Sequence, residues 1–473
     1  MQMDKNSIPK NVKTIHMIAI CGTGMGALAL MLKDLGFSVT GSDLKVYPPM
    51  SDFLSGRGID IAEGFSAEHL SYGPDLVIVG NAVSKDNPEV VHMQRMELHF
   101  CSMPQAINTF VAAGKKQILI TGTHGKTTTA SIVAWILDCA GVDETFFIGG
   151  ILANFSSNYR LGQGEYIVIE GDEYDTAYFD KGPKFMHYDP HVTILTSVEF
   201  DHADIFRDKD HVLTVFTDLV SGLNESSTLL SFDGDRNVER AVAAANCRVV
   251  GYSRAEGSGW RLGKIELQPP WSSFEVFKGG RLYRRFETML VGEHNLLNAL
   301  AAIAVADLLK IPIAATQKAL ATFKGVRRRQ EVRGIKNNIV VMDDFAHHPT
   351  AVRETVRAVK PFYPEGRLIA VFEPRTNTSM RDIFQDVYPD CFDAADLICI
   401  RKPPLLKKIP EGQRFSSQKL VDDLKQRGKD AHYFESTDLI IDFLKITAIS
   451  GDVILIMSNG GFDNIHERLL ASL

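Results

Sequence analysis

Ile118-Leu119-Ile120-Thr121-Gly122-Thr123-His124-Gly125-Lys126-Thr127-Thr128-Thr129 decides how the rest of the chain is read. An apolar run enters a glycine turn, then a lysine and three threonines, then the helix-like Ala130-Ser131-Ile132-Val133-Ala134-Trp135-Ile136-Leu137. Strand, turn and helix in that order are the layout of a phosphate-binding loop. The glycines let backbone N–H groups face an anion, and the helix adds its positive end. Lys126 then neutralises the β- and γ-phosphates, and Thr127 sets a hydroxyl on Mg²⁺. The strict pattern asks for glycine where Ile120 stands, so only the Gly-Lys-Thr core in the right surroundings is present. The alternative is a glycine turn with a solvated lysine, and the flanking strand and helix weigh against it.

At 473 residues the chain is too long for one hydrophobic core, and its length suggests about three domains. A hydrophobic share of 45% with 23% charged residues fits a globular enzyme rather than a disordered chain. The net charge of -7 argues against general nucleic-acid binding. An anionic substrate therefore needs local positive groups. Cys21, Cys101, Cys139, Cys247, Cys391 and Cys399 are scattered without a Cys-x-x-Cys pair. That points away from a cysteine zinc site or disulfide framework and toward a reduced, cytoplasmic setting. The polar start Met1-Gln2-Met3-Asp4-Lys5-Asn6-Ser7 lacks a signal peptide's apolar core, and no apolar run is long enough for a bilayer.

Upstream, the strand Ile15 to Ile20 leads into Cys21-Gly22-Thr23-Gly24-Met25-Gly26-Ala27 and a helix from Leu28 to Leu35. A second strand, Ser38-Val39-Thr40, ends in Gly41-Ser42-Asp43, and a third, Asp75 to Val79, ends in Gly80-Asn81-Ala82-Val83-Ser84. A βαβ unit with Gly-x-Gly at its first turn and an acid about twenty residues on resembles a dinucleotide fingerprint. Alone it does not separate NAD from another pyrophosphate ligand, and the plain alternative is a tight strand-to-helix turn.

Downstream of the phosphate loop, Tyr166 to Ile169 runs into Glu170-Gly171-Asp172-Glu173-Tyr174-Asp175. Val192 to Thr196 runs into Ser197-Val198-Glu199-Phe200-Asp201-His202-Ala203-Asp204. Acids at the carboxyl ends of strands lie where ligands bind in open α/β sheets. Singly they are as readily solvated caps; together, after a phosphate loop, they favour Mg²⁺. Residues 231–286 read as an antiparallel insertion without chemistry. His294, Asn295 and Asn298 open an alanine-rich helix, and by spacing alone they read as caps. Arg327-Arg328-Arg329 then precede a third apolar restart and are candidates to neutralise phosphate. Strands over 339–342, 368–372 and 453–457 end in Asp343-Asp344-Phe345-Ala346-His347-His348-Pro349, in Glu373-Pro374-Arg375-Thr376-Asn377-Thr378, and in Ser458-Asn459-Gly460-Gly461. Alternating strands and helices predict a third parallel-sheet domain.

The phosphate loop, Glu170 to Asp175, Asp201-His202, Gly292 to Asn298 and Asp344 to Pro349 occur in the order of the Mur ligases, which this chain resembles over essentially its whole length. These are ATP-dependent amide ligases of bacterial cell-wall synthesis, and the family tolerates a non-glycine at Ile120. The resemblance implies an α/β fold of three domains: a Rossmann-like UDP-binding domain over 1–113, a central P-loop ATPase-type domain over 114–328, and a C-terminal Rossmann-like domain over 329–473. In that frame the first glycine turn holds a UDP-sugar rather than NAD, through Gly22, Thr23, Gly24, Met25, Gly26, Ser42, Asp43 and Ser84. ATP is held by Gly122, Thr123, His124, Gly125, Lys126, Thr127, Thr128, Asn295, Arg328, Asp344 and His347. The catalytic set is Lys126, Glu173 and His202, and two Mg²⁺ ions are implied, one on Glu173 and His202 and the other on Thr127. Four stretches, Glu170–Lys181, Glu199–Phe206, Glu373–Thr378 and Ser458–Phe462, are similar to members that join a murein tripeptide to UDP-N-acetylmuramate. Arg375, Asn377 and Thr378 are then candidates for the peptide. Gly171 departs from relatives that often carry alanine there. The implied partners are small molecules, with no nucleic acid and no membrane, on a monomer or weak homodimer. Free L-alanine as the amine is the nearest alternative. An oxidoreductase built on Gly22-Thr23-Gly24 leaves the phosphate loop unexplained, and a non-catalytic nucleotide switch leaves the other domains' motifs unused.

Overall fold

The computed structural model describes residues 5–46 and 50–473. Three sheets follow one another along the chain. The first is fully parallel, in the order β3-β2-β1-β4-β5, with β1 Thr14–Ile18, β2 Ser38–Asp43, β3 Asp60–Glu63, β4 Leu76–Val79 and β5 Phe100–Ser102. Strand β3 is too short and too polar to stand out in the sequence.

The second sheet has ten strands: β6 Lys116–Thr121, β7 Thr145–Leu152, β8 Ser157–Arg160, β9 Tyr166–Glu170, β12 Pro190–Leu195, β13 Thr228–Phe232, β14 Arg248–Ser253, β15 Trp260–Gln268, β16 Trp271–Lys278 and β17 Arg281–Thr288. Beside it stands a small hairpin of β10 Asp175–Ala177 and β11 Asp180–Pro183. The order is β17-β16-β15-β14-β13-β12-β6-β9-β7-β8, which puts the phosphate-loop strand β6 between β12 and β9. Both acid-bearing strand ends therefore flank the loop. Side chains alternate across β6 as the strand period requires. Ile118 and Ile120 join the core that holds Ala130, Val133 and residues Ala299 to Ala306 of helix Glu293–Leu308, whereas Leu119 joins the core shared with Ile15 and Leu28 of the first domain. The expectation of an antiparallel insertion over 231–286 needs correction. Strands β13 and β14 continue the parallel sheet, and antiparallel pairing begins only between β15 and β16.

The third sheet runs β18-β19-β23-β20-β21-β22, built from β18 Glu331–Lys336, β19 Ile339–Asp344, β20 Leu368–Phe372, β21 Leu397–Arg401, β22 Asp430–Phe434 and β23 Val453–Met457. All its pairings are parallel except the edge strand β18. No helix among the described residues is long and apolar enough to cross a membrane.

The first two domains are clasped by the β10–β11 hairpin. Tyr178 and Phe179 at its tip pack against the first domain's core, Phe179 stacks edge-on to Phe100 at 5.0 Å, and Gln94 donates to the Tyr178 hydroxyl. Second and third domains meet at the loop after β12. Thr350 donates to Glu199, Asn377 to Asp204, and the Ala203 N–H to the Thr378 hydroxyl.

Candidate active site

Gly122 and Gly125 have φ of +125° and +79°, which L side chains rarely adopt. A Cβ on Gly122 would stand 2.3 Å from Thr196 Oγ1, and one on Gly125 2.6 Å from Asn298 Oδ1. The loop is zipped to the end of β12: Thr123 N–H donates to the Ser197 carbonyl, His124 N–H to Ser197 Oγ, and Glu199 N–H to Thr123 Oγ1. Helix Lys126–Cys139 begins at Gly125, and no side chain caps it, so its first N–H groups face the cleft. Helices Thr23–Asp34 and Glu293–Leu308 begin the same way, on Gly22 and Gly292.

Lys126 Nζ donates to both Glu173 oxygens, at 2.7 and 3.1 Å, and to the Gly122 carbonyl. His202 Nε2 reaches the same carboxylate at 3.2 Å. Burial alone favours a protonated Glu173. The Lys126 ammonium and His202 outweigh it and hold the carboxyl below its usual range. Burial also works against a charged His202, but the Glu173 carboxylate raises its pKa. On the other wall Thr127 Oγ1 donates to Glu170 Oε1 at 2.8 Å, and Glu170 Oε2 accepts the Gly149 N–H at 2.7 Å. Glu170 was outside the expected site; its position at the carboxyl end of β9 is the signal that points to it. Threonine hydroxyl and carboxylate oxygens form a hard donor set that suits Mg²⁺.

A cleft of ≈1120 Å³ joins these groups to the other two domains. Gly22, Thr23, Gly24 and Met25 line one end, with Asn81 and Met103. The phosphate loop, Thr127 and Thr128 line the middle, with His202 and Asn295. Asp344 and His347 line the far wall, with Arg329. Glu173 lies just behind this surface, 2% exposed.

Other expected residues take supporting places. Gly26 packs on Met50. Ser42 is fully buried and donates to Glu89 at 2.6 Å, while Asp43 accepts the Cys21 N–H and so anchors the first glycine turn. Ser84 is exposed on the loop after β4. Arg328 turns away and grips the carbonyls of Ser458 and Gly460, at 2.6 and 2.7 Å, whereas its neighbour Arg329 faces the cleft over Phe345. Sequence alone does not separate two adjacent arginines. Arg375 pairs with Glu373 and packs on Gly460; Asn377 and Thr378 hold the domain junction. Capping does not explain Asn295 and Asn298, because the helix N-cap is Gly292. Asn295 donates instead to the Val291 carbonyl and to Gln330, and Asn298 to Asn295. Asp344 Oδ2 accepts the Gln330 N–H at 2.8 Å, and burial raises its pKa.

A phosphate loop faced by paired carboxylates, in a cleft walled by three α/β domains, defines a multidomain ligase that activates one substrate with a nucleotide. Sequence profiles agree: the Mur ligase middle domain matches residues 120–306, the catalytic domain of the Mur ligase family matches 14–115, and the glutamate ligase domain of Mur ligases matches 328–460. The chain belongs to the Mur ligase family. It is 39% identical to the UDP-N-acetylmuramate–L-alanyl-γ-D-glutamyl-meso-2,6-diaminoheptandioate ligase of Escherichia coli K12, covering 97% of this chain and 98% of that one. It is similar to the crystal structure of a murein peptide ligase from Psychrobacter arcticus at 35% identity and a TM-score of 0.71, covering 97% and 98%. The UDP-N-acetylmuramate–alanine ligase of Thermotoga maritima has a TM-score of 0.80 at 26% identity, covering 98% and 99%.

Proposed function

We propose that this protein is an ATP-dependent, ADP-forming ligase that joins L-alanyl-γ-D-glutamyl-meso-diaminopimelate to UDP-N-acetylmuramate, in the cytoplasmic recycling of murein. The observation that carries this reading is one cleft in which the first glycine turn, the phosphate loop and Asp344 with His347 all face one space. The relatives named for that reaction, at 37% and 39% identity over nearly the whole chain, supply the substrate class. Free L-alanine as the amine has the higher TM-score behind it. That score follows backbone placement, however, whereas identity follows the side chains that choose a substrate, and identity favours the tripeptide. The three domains are taken as 1–113, 114–328 and 329–473, around sheets spanning 14–102, 116–288 and 331–457.

In the proposed reaction the lactyl carboxylate of UDP-N-acetylmuramate attacks the γ-phosphate of ATP, forming an acyl phosphate and releasing ADP. The tripeptide's alanine amine attacks the acyl carbon. The tetrahedral adduct expels phosphate, loses the amine proton and becomes the amide. Phosphoryl transfer asks mainly for alignment and charge neutralisation. Lys126 supplies positive charge, and the uncapped start of its helix supplies N–H donors. Glu173 and His202 would hold one Mg²⁺ and Thr127 the other, with Glu170 beside Thr127; the two ions would supply charge neutralisation on the phosphates. Gly22 to Met25 seat the UDP-sugar. Asn295 faces the adenine, and Asp344 and His347 close on the ribose. Arg375 would orient the incoming peptide from the end of β20, and Asn377 and Thr378 would keep the third domain docked beside it. Docking of that domain on the loop after β12 excludes water from the acyl phosphate and completes the site. Phosphate release measured with each substrate omitted in turn tests the reading. Full rate is expected only with all three present, and full release from ATP alone would refute it.

A further inference from the structure

Three side chains outside the Lys126–Glu173–His202 group converge where the second and third domains meet. His124 Nε2 and His348 Nδ1 lie 3.6 and 3.7 Å from Glu199 Oε2, and the three donor atoms are all within 4.8 Å of one another. The two imidazole rings are 4.7 Å apart. His124 and Glu199 are held through their backbones, His124 by Ser197 and Thr196 and Glu199 by Thr123, and Glu199 Oε2 also accepts the Thr350 hydroxyl at 2.6 Å. His348 caps helix Pro349–Val359 from the third domain.

Hydrogen bonds fix the tautomer of His348. Its Nε2 faces the Phe200 carbonyl at 3.2 Å, and a carbonyl only accepts, so Nε2 carries the proton. Its Nδ1 accepts the Thr350 N–H at 3.3 Å, so Nδ1 carries the lone pair, and a metal ion would take that lone pair over from this long cap. A carbonyl behind the far nitrogen is the partner that commonly orients a metal-ligating histidine. His124 Nε2 is buried without any hydrogen-bond partner. A buried ring nitrogen aimed at a carboxylate yet bonded to nothing is a group that still needs a partner.

We propose that His124, Glu199 and His348 form a second metal site, for a zinc-class divalent ion, that staples the third domain onto the phosphate loop. Two imidazoles and one carboxylate are a zinc donor set, with a fourth position left for water. Mg²⁺ prefers oxygen ligands and keeps its own water, so it is a poor competitor here. Ligand distances of about 2.0–2.2 Å require the donors to draw only modestly closer than they stand. Two ligands belong to the second domain and one to the third. The ion therefore binds the closed arrangement alone and stabilises it. An enzyme that must open to release product is slowed by such a staple. The binding claim holds whichever amine the enzyme takes.

Co²⁺ is the probe, titrated into the chelator-treated full-length protein in excess Mg²⁺. One equivalent is expected to give the intense visible absorption of a tetrahedral site, and Zn²⁺ is expected to displace it. The band is expected to vanish in His348→Ala and in Glu199→Gln and to persist in His202→Ala, with circular dichroism used to verify that each variant is folded. Absence of a tetrahedral band in the unaltered protein overturns the proposal before any variant is made. A band that survives in folded His348→Ala, or that folded His202→Ala abolishes, overturns it as well, the latter by assigning the ion to the phosphate-loop centre.

Discussion

Lys126 Nζ sits 2.7 Å from Glu173 Oε2, so the cation expected on phosphate and a carboxylate expected on Mg²⁺ neutralise one another. An entering phosphate competes with Glu173 for the ammonium, and an entering divalent cation competes with Lys126 for the carboxylate. Each ligand frees the partner that the other needs, which couples nucleotide and metal binding. Lys126→Ala is expected to lower the ligase rate by at least ~10²–10³-fold, the scale for removing one preorganised charge-stabilising group. UDP-N-acetylmuramate binding by calorimetry is expected to persist, because the first glycine turn is on another domain. Retained ligase activity would remove Lys126 from the centre.

Gly125 is constrained twice, by its φ of +79° and by Asn298. Gly125→Ala is expected to destabilise the protein by about 1–2 kcal/mol through backbone strain alone. It should also displace Asn298 and weaken ATP binding. Urea denaturation and nucleotide calorimetry check the two effects separately, and unchanged values in both would mean that the turn is not strained.

Stability should depend on pH through His202 and Glu173 in opposite senses. The folded state raises the His202 pKa above its ordinary 6.5, so it holds that proton more tightly than the unfolded chain does. Its contribution is complete below pH 6.5 and is lost as pH rises through the folded value. Glu173 is held below its ordinary 4.5, so its contribution is present above that pH and lost on acidification. His202→Gln is expected to flatten the alkaline decline in unfolding free energy and leave an acid one. An alkaline decline identical in the two proteins would contradict the His202–Glu173 pairing.

The Thr378–Ala203 and Asn377–Asp204 bonds join the third domain to the loop that carries His202. Each net hydrogen bond is worth about 1 kcal/mol. The double variant Thr378→Val, Asn377→Ala is expected to lose about tenfold in kcat, the equivalent of roughly 1.4 kcal/mol. ATP affinity should change far less, since neither residue is in the phosphate loop. An equal loss in ATP affinity would show that the two residues support the nucleotide site rather than closure.

Much of this site was legible in the sequence because it is local. The phosphate loop needs one strand, one turn and one helix start, all written within residues 118–137. Acids at the ends of β9 and β12 were visible for the same reason. What was hidden depends on contacts between distant segments. Arg328 and Arg329 are adjacent, and only the Ser458 and Gly460 carbonyls, reached through the third sheet, decide which of them faces the cleft. Ser42 looked like a ligand at a strand end until Glu89, buried on the neighbouring layer, claimed its hydroxyl. Asp175 read as the end of an acidic cluster, yet it opens the hairpin that presses Tyr178 and Phe179 into the first domain. Strands β21 and β22 were missed because Arg401-Lys402 and Glu435-Ser436-Thr437 at their ends form no recognisable binding motif.

The central claim is the identity of the amine. Phosphate release from ATP and UDP-N-acetylmuramate, measured side by side with the murein tripeptide and with free L-alanine, tests it directly. A kcat/KM clearly higher with the tripeptide is the expected result; a kcat/KM clearly higher with L-alanine would contradict it.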